Sequence, residues 1–152
     1  MPGRDASKTL PAVSTWLIDA YNVLHAGLLR PEDRTRFWTR EHRERLVGRV
    51  RNFSLLKTTL FVAFDGDDPG RHEIAALAGS AWDRLFVVYA PDADAWILEQ
   101  VRTALAPEKL AVVTGDRRLA GRARHRGASI VSPRAFLDHC PTPLSDREAA
   151  DT

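Results

Sequence analysis

The sequence predicts an α/β domain, a three-layer sandwich built on a mostly parallel sheet of about five strands. Three observations predict it. Five short apolar runs rich in Val, Phe, Ile and Leu show little polar alternation, as strands covered on both faces do. Segments with helical spacing lie between them, and a strand–helix alternation generates parallel pairing. The length of 152 residues suits one domain with a core of its own.

The apolar runs are Trp16–Ile18, Thr59–Phe64, Leu85–Tyr89, Leu110–Val113 and Ser129–Val131. Phe37, Leu46, Val50 and Phe53 predict a long helix over roughly Phe37 to Leu55. Trp96, Ile97, Val101 and Leu105 predict a second, ending before Pro107. A third runs from Arg117 to about Arg126 and is stopped by Gly127. In "SPRAFLDH", Ser132 is expected as the N-cap of a fourth and Pro133 as its first residue. Between Asp67 and Asp83 the sequence allows a loop or a short helix around "HEIAALAG". Residues 1–13 are expected to form a flexible N-terminus and 141–152 a disordered tail, which leaves 14–140 as the domain.

Composition excludes several classes. Hydrophobic residues make up 44% and charged residues 28%, as in soluble globular proteins. No apolar run approaches the roughly 20 residues of a membrane span, and the N-terminal stretch lacks the apolar segment of a signal peptide. The single Cys140 leaves no internal disulfide and no multi-cysteine zinc site. A cytoplasmic protein with no membrane partner is expected. The net charge is only +2, but the positive charge is nearly all arginine, with Lys8, Lys57 and Lys109 the only lysines. Arginine forks suit phosphate, yet a genome rich in G and C gives the same bias, so composition does not choose between them.

The ends of the strands are more informative. The first run stops in Asp19, the second in Asp65, the fourth in Asp116, and Asp92 and Asp94 follow the third at the start of a helix. In a parallel sheet the C-terminal strand ends share one edge, where ligands bind. Taken singly, each acid has a structural reading: Asp19 as a turn residue or the N-cap of the segment after it, Asp65 in an Asp-Gly turn, Asp92 and Asp116 as helix caps. Together they would crowd like charges, which is unfavourable unless a cation sits among them. Hard carboxylate oxygens suit Mg²⁺ or Mn²⁺, and one or two such ions can activate water against a phosphodiester.

The stretches "LIDAYNVLHA", "VAFDG", "VVYAPDADAWI" and "VVTGDRRLAGRARHRGASIVSPRAFL" resemble the YacP-like group of NYN-domain ribonucleases, within the PIN-like superfamily. The likeness covers nearly all of Trp16 to Leu137. It implies a PIN-like fold and metal-dependent cleavage of RNA, by an endoribonuclease mechanism. It maps the main acids onto Asp19, Asp94 and Asp116, with Asn22 and Thr114 as polar neighbours and Asp65 as a further member. The expected catalytic set is thus Asp19, Asn22, Asp94 and Asp116, with Asn22 orienting water or phosphate. The expected metal ligands for Mg²⁺ or Mn²⁺ are Asp19, Asp65, Asp92, Asp94 and Asp116. One position departs from the pattern: where the family often has an acid, four residues after Asp94, this chain has Leu98. Glu99 comes one later, about 100° around the helix, and should point away from Asp94.

RNA, single-stranded and in one form ribosome-associated, is the expected partner. Arg30, Arg34, Arg36, Arg40, Arg43, Arg45, Arg49 and Arg51 are diluted by Glu32, Asp33, Glu41 and Glu44 and read as a solvated amphipathic face. Arg117, Arg118, Arg122 and Arg124 follow the acids directly and are the expected nucleic-acid contacts, with Thr114; Arg126 and His125 belong to the same basic run. Tyr21, Tyr89 and Trp96 are candidate stacking residues, although Tyr89 and Trp96 read better as core. His25 and His72 are given no role. Rival readings are a Mg²⁺-dependent phosphatase on a small substrate and a non-catalytic RNA-binding module. A haloacid-dehalogenase-type phosphatase would need an Asp at position 21, which is Tyr21.

Overall fold

A computed structural model describes residues 10–30, 32, 39–55, 57–66 and 84–141. The chain runs β1 (Thr15–Asp19), α1 (Ala20–Val23) with a π-helical turn (Leu24–Leu28), α2 (Arg40–Val50), β2 (Thr59–Asp65) and β3 (Leu85–Ala90). It continues through α3 (Ala93–Thr103), a 3₁₀ turn (Pro107–Lys109), β4 (Leu110–Val113), α4 (Arg117–His125), β5 (Ser129–Val131) and α5 (Pro133–Leu137). The segment 67–83, including "HEIAALAG", and most of both expected tails lie outside the described residues. Packing begins earlier than position 14, since Leu10 and Val13 rest against the core.

All five strands are parallel, in the order β3-β2-β1-β4-β5. Successive residues of a strand face opposite sides of a sheet, and here both sides are covered. Trp16 and Ile18 of β1 join Leu60, Val62 and Phe64 of β2 under α1, α2 and α5. Leu17, Ala63 and Val112 point the other way, against Ala93, Ile97 and Val101 of α3 and Leu119 and Ala123 of α4. Hence the apolar runs lack alternation. Trp16 anchors the first layer, with its ring centroid 5.1 Å from Phe53 and 5.6 Å from Phe136.

Three local outcomes differ from the periodicity. The long helix occupies Arg40–Val50; residues 37 and 38 lie outside the described residues, and the chain has left the helix by Phe53. Phe53 keeps the helical spacing because it continues the same buried face, stacked 4.7 Å from Phe136. Arg49 of this helix donates to the carbonyls of Cys140 (3.0 Å) and Leu137 (3.2 Å), fastening the end of α5. Leu105 is fully exposed, because α3 stops at Thr103 and Ala104 is extended.

The third difference is α1 and its π turn: Asp19 stands at the N-cap position, without a side-chain cap bond, ahead of a helix that no apolar periodicity marks. Leu29 N donates to Leu24 O at 2.9 Å, a bond five residues back. The extra residue per turn blurs the 3.6 periodicity that marks a helix. A Cβ at Gly27 in this turn would lie 2.4 Å from Leu137 Cδ1, so a side chain there would require that leucine to shift. The other punctuation falls where expected: Ser132 Oγ accepts from Ala135 N, Pro133 opens α5, and Gly127 takes a positive φ of 105° after α4.

The order places a topological switch point between β1 and β4. From β1 the chain winds outward to β2 and β3, then returns across β1 to build β4 and β5 on the other side. Ligands of open α/β sheets bind in the crevice at such a point. Asp19 ends β1 and Thr114 follows β4, so these two residues face one another across it.

Candidate active site

Asp19 is the last residue of the central strand, and its side chain is 5% exposed. Its Oδ2 accepts a hydrogen bond from Thr114 Oγ1 at 2.8 Å, across the switch point. The same hydroxyl oxygen accepts from Asp116 N at 3.1 Å, so Thr114 fixes the carboxylate and the start of the next turn together. Asn22, one turn into α1, accepts from Gly115 N at 2.6 Å through Oδ1. A side chain at position 115 would bring its Cβ 3.3 Å from that oxygen, so a glycine keeps this tie short. The two bonds lock α1 and the β4–α4 turn around Asp19.

Asp92 and Asp116 cap helices as their structural reading expects, whereas Asp65 reaches across to α3 rather than serving only an Asp-Gly turn. Asp65 Oδ1 accepts from Ala93 N at 2.8 Å and so secures the start of α3 from a neighbouring strand. Asp92 Oδ1 accepts from Ala95 N at 3.1 Å as the N-cap of α3. Asp116 Oδ1 accepts from Arg118 N (2.8 Å) and Leu119 N (3.2 Å) as the N-cap of α4. A cap uses one oxygen of a carboxylate and fixes its direction. Among the described residues, no hydrogen bond is made by the second oxygen of Asp65, Asp92 or Asp116.

Asp19, Asp65, Asp94 and Asp116 line one open cavity of about 560 Å³, together with Tyr21, Asn22 and His25. Asp92 does not line it; it borders an adjoining cavity of about 340 Å³ with Asp94, Asp116, Arg118 and Arg122. Burial pushes Asp19 up to about 7 from its ordinary 3.8, against the pull of the Thr114 hydrogen bond, and repulsion from Asp94, Asp65 and Asp116 adds to the rise. Asp94 is raised as well, by burial first and then by Asp116, Asp65 and Asp92. Such a cluster gains when either a proton or a cation enters it.

Among the described residues no group of three or more His, Cys, Asp and Glu side chains forms a ready-made metal cage. The donor set still fits a hard divalent ion: four carboxylates line a cavity with room for water, beside Asn22 and His25. Mg²⁺ is characteristically held in that way, by one or two carboxylates while it keeps several waters.

The remaining predicted residues fall into distinct places. Thr114 is 3% exposed with its hydroxyl engaged by Asp19, so it belongs to the scaffold under the acids rather than to a surface that meets nucleic acid. Arg117, Arg118, Arg122 and Arg124 are all exposed on α4, but only Arg118 and Arg122 border the cavity shared with Asp94 and Asp116. The rings of the stacking candidates pack inward: Tyr21 lies 5.2 Å from Phe64, Tyr89 5.2 Å from Phe64, and Trp96 6.0 Å from Phe61. Glu99 turns away from the acids, with Arg102 donating to it at 2.9 and 2.5 Å. His25, which the sequence gives no role, lines the acidic cavity. Its place three residues after Asn22 would have signalled this, had the segment been read as helical.

A search of curated proteins finds no match. Among solved structures, the chain is similar to Rae1 (YacP) from Bacillus subtilis, in its W164L mutant form. The TM-score is 0.60 at 21% identity, covering 91% of this chain and 80% of that one, which is a likeness of fold. The family model of the YacP-like NYN domain matches residues 16–145, and the chain belongs to that family.

Proposed function

We propose that the protein is a divalent-metal-dependent endoribonuclease. The observation that carries this reading is the convergence of Asp19, Asp65, Asp94 and Asp116 on one open cavity at the switch point, where two of them are held above their ordinary pKa. Membership of the YacP-like NYN family and the fold shared with Rae1 (YacP) support it. Mg²⁺ or Mn²⁺ would be held by Asp19, Asp94 and Asp116, with Asp65 beside them and Asp92 at the margin. A cation there supplies charge stabilisation for the phosphodiester and a more acidic water.

The chain's own residues set the geometry. Thr114 keeps Asp19 pointed into the cavity, and Asn22 keeps α1 against the turn that carries Asp116. With its Oδ1 given to Gly115, Asn22 has its amide N–H groups to offer a phosphate or water. Arg118 and Arg122 lie where the backbone of a bound strand would pass next to the acids. Single-stranded RNA, ribosome-bound RNA included, is the proposed substrate, and the setting is cytoplasmic. Among the described residues no helix is long and apolar enough to cross a membrane.

The test is cleavage of a labelled single-stranded RNA by the full chain with Mn²⁺, Mg²⁺ or EDTA, beside Asp94→Asn. Metal-dependent internal cuts, reduced on the order of 10²–10³-fold in the variant, are expected. RNA that is bound but never cut would instead favour a non-catalytic binding module. Hydrolysis of a small phosphomonoester alone would favour a phosphatase.

A further inference from the structure

Beyond the acids, the adjoining cavity opens into a furrow of about 610 Å³ between α3 and α4. Ala95, Leu98 and Arg122 border both, so the furrow abuts the cavity of Asp94 and Asp116 and extends toward the far end of α4. From Asp116 to Arg126 this is about 15 Å along the helix. The two walls differ in kind. The α3 wall offers Ala95 and Leu98, and beyond them Glu99, which pairs with Arg102 and also feels Arg126 across the furrow. The α4 wall offers Arg122, His125 and Arg126, with no acid among the residues that follow Asp116 on that helix.

Between these walls lies Gly121. It stands in the interior of α4, where glycine is the poorest helix former after proline. Its φ is ordinary, and a Cβ built there would meet nothing within 4 Å. Neither backbone conformation nor packing asks for glycine at this position. What its missing side chain does is leave the furrow open.

We propose that the α3–α4 furrow is a nucleotide-binding subsite that holds the part of the RNA strand flanking the cut. A base or ribose would lie over Leu98, Ala95 and Gly121, and its phosphates would face Arg122 and Arg126. An apolar wall beside a cationic one matches the two faces of a nucleotide, as single-strand channels do. Leu98, at the position where the family often carries an acid, thereby serves the strand rather than the metal. This inference rests on the ribonuclease reading.

The test is binding of a short labelled single-stranded oligoribonucleotide in EDTA, followed by fluorescence anisotropy across a salt series. Gly121→Leu fills the furrow while improving helix propensity, so its melting temperature should match or exceed that of the wild type. Its affinity should fall about tenfold or more, as loss of a base contact entails. Arg126→Ala should weaken binding a few-fold and reduce the salt slope by about 1. Arg45→Ala, on the exposed face of α2, removes the same charge elsewhere and should bind like wild type. If Gly121→Leu and Arg126→Ala both bind within twofold of wild type, the subsite is overturned. That failure is separable from failure of the nuclease. Metal-dependent cutting at the wild-type rate by Gly121→Leu, with Asp94→Asn inactive, rejects the furrow alone. A wild-type chain that neither binds nor cuts RNA rejects both.

Discussion

At the seam between β1 and β4, Asp19 is 5% exposed and tied to Thr114, while on α4 the guanidinium groups of Arg118 and Arg122 stand in solvent. Both regions carry charge, yet burial gives that charge different consequences. In the seam, desolvation moves a carboxylate by several pKa units, so a single hydrogen bond or a single ion changes its state. On α4 the cations keep their water, and their effect on a ligand is a field that salt screens. On the proposed function, the seam would carry the specific chemistry and α4 a sequence-tolerant attraction.

If that contrast is right, Thr114→Val should have the largest effect of the substitutions outside the acids. It preserves shape but leaves Asp19 Oδ2 without its donor, and loss of an orienting partner typically costs about 10–100-fold in metal affinity or activity. RNA binding in EDTA should stay near the wild-type value, since the threonine is buried. Equal losses of binding and cleavage would place Thr114 at the RNA instead.

Next comes pH. Asp19 binds its proton more tightly in the folded chain, where its pKa is about 7, than in the unfolded one at 3.8. The stability contributed by that proton is complete below about pH 4 and is lost as pH rises through 7. Asp94 shifts in the same direction. The metal-free protein should therefore melt on the order of 5 °C higher at pH 5.5 than at pH 8. Asp19→Asn should flatten most of that difference, and Mn²⁺ should reverse it, because an ion replaces the proton as the cluster is deprotonated. A metal-free melting temperature that does not vary over this range would contradict the buried, crowded state of Asp19.

The smallest effect is expected within α4 itself. Arg122→Ala should weaken RNA binding a few-fold more than Arg124→Ala, because only Arg122 borders the cavities. Both should lose their effect at high salt. Identical losses would mean that the helix acts only through net charge.

The core was legible from the sequence because strands buried on both faces must be continuously apolar, and all five runs became strands of one sheet. The acids at the strand ends were legible for a related reason: a parallel sheet has one C-terminal edge, so its chemistry is written at predictable positions. Helix ends were less secure. Phe53 and Leu105 follow a helical rhythm past the last helical residue, one because it packs on Trp16 and Phe136, the other by coincidence in solvent. Periodicity registers the spacing of apolar residues and does not register where the backbone turns.

The sequence by itself thus determined the alternation of strands and helices and the presence of acids where strands finish. Only the tertiary structure decided how those acids divide their oxygens. Asp92 and Asp116 cap helices, Asp65 holds the first N–H of α3 from a neighbouring strand, and all three still border a cavity. The tertiary structure also brought His25 to the cavity through a π turn and drew Thr114 beneath Asp19 across 95 residues of sequence. Local propensity reflects contacts within a few residues. Hydrogen bonds across a switch point, and the desolvation that raises Asp19, depend on which distant elements pack against it.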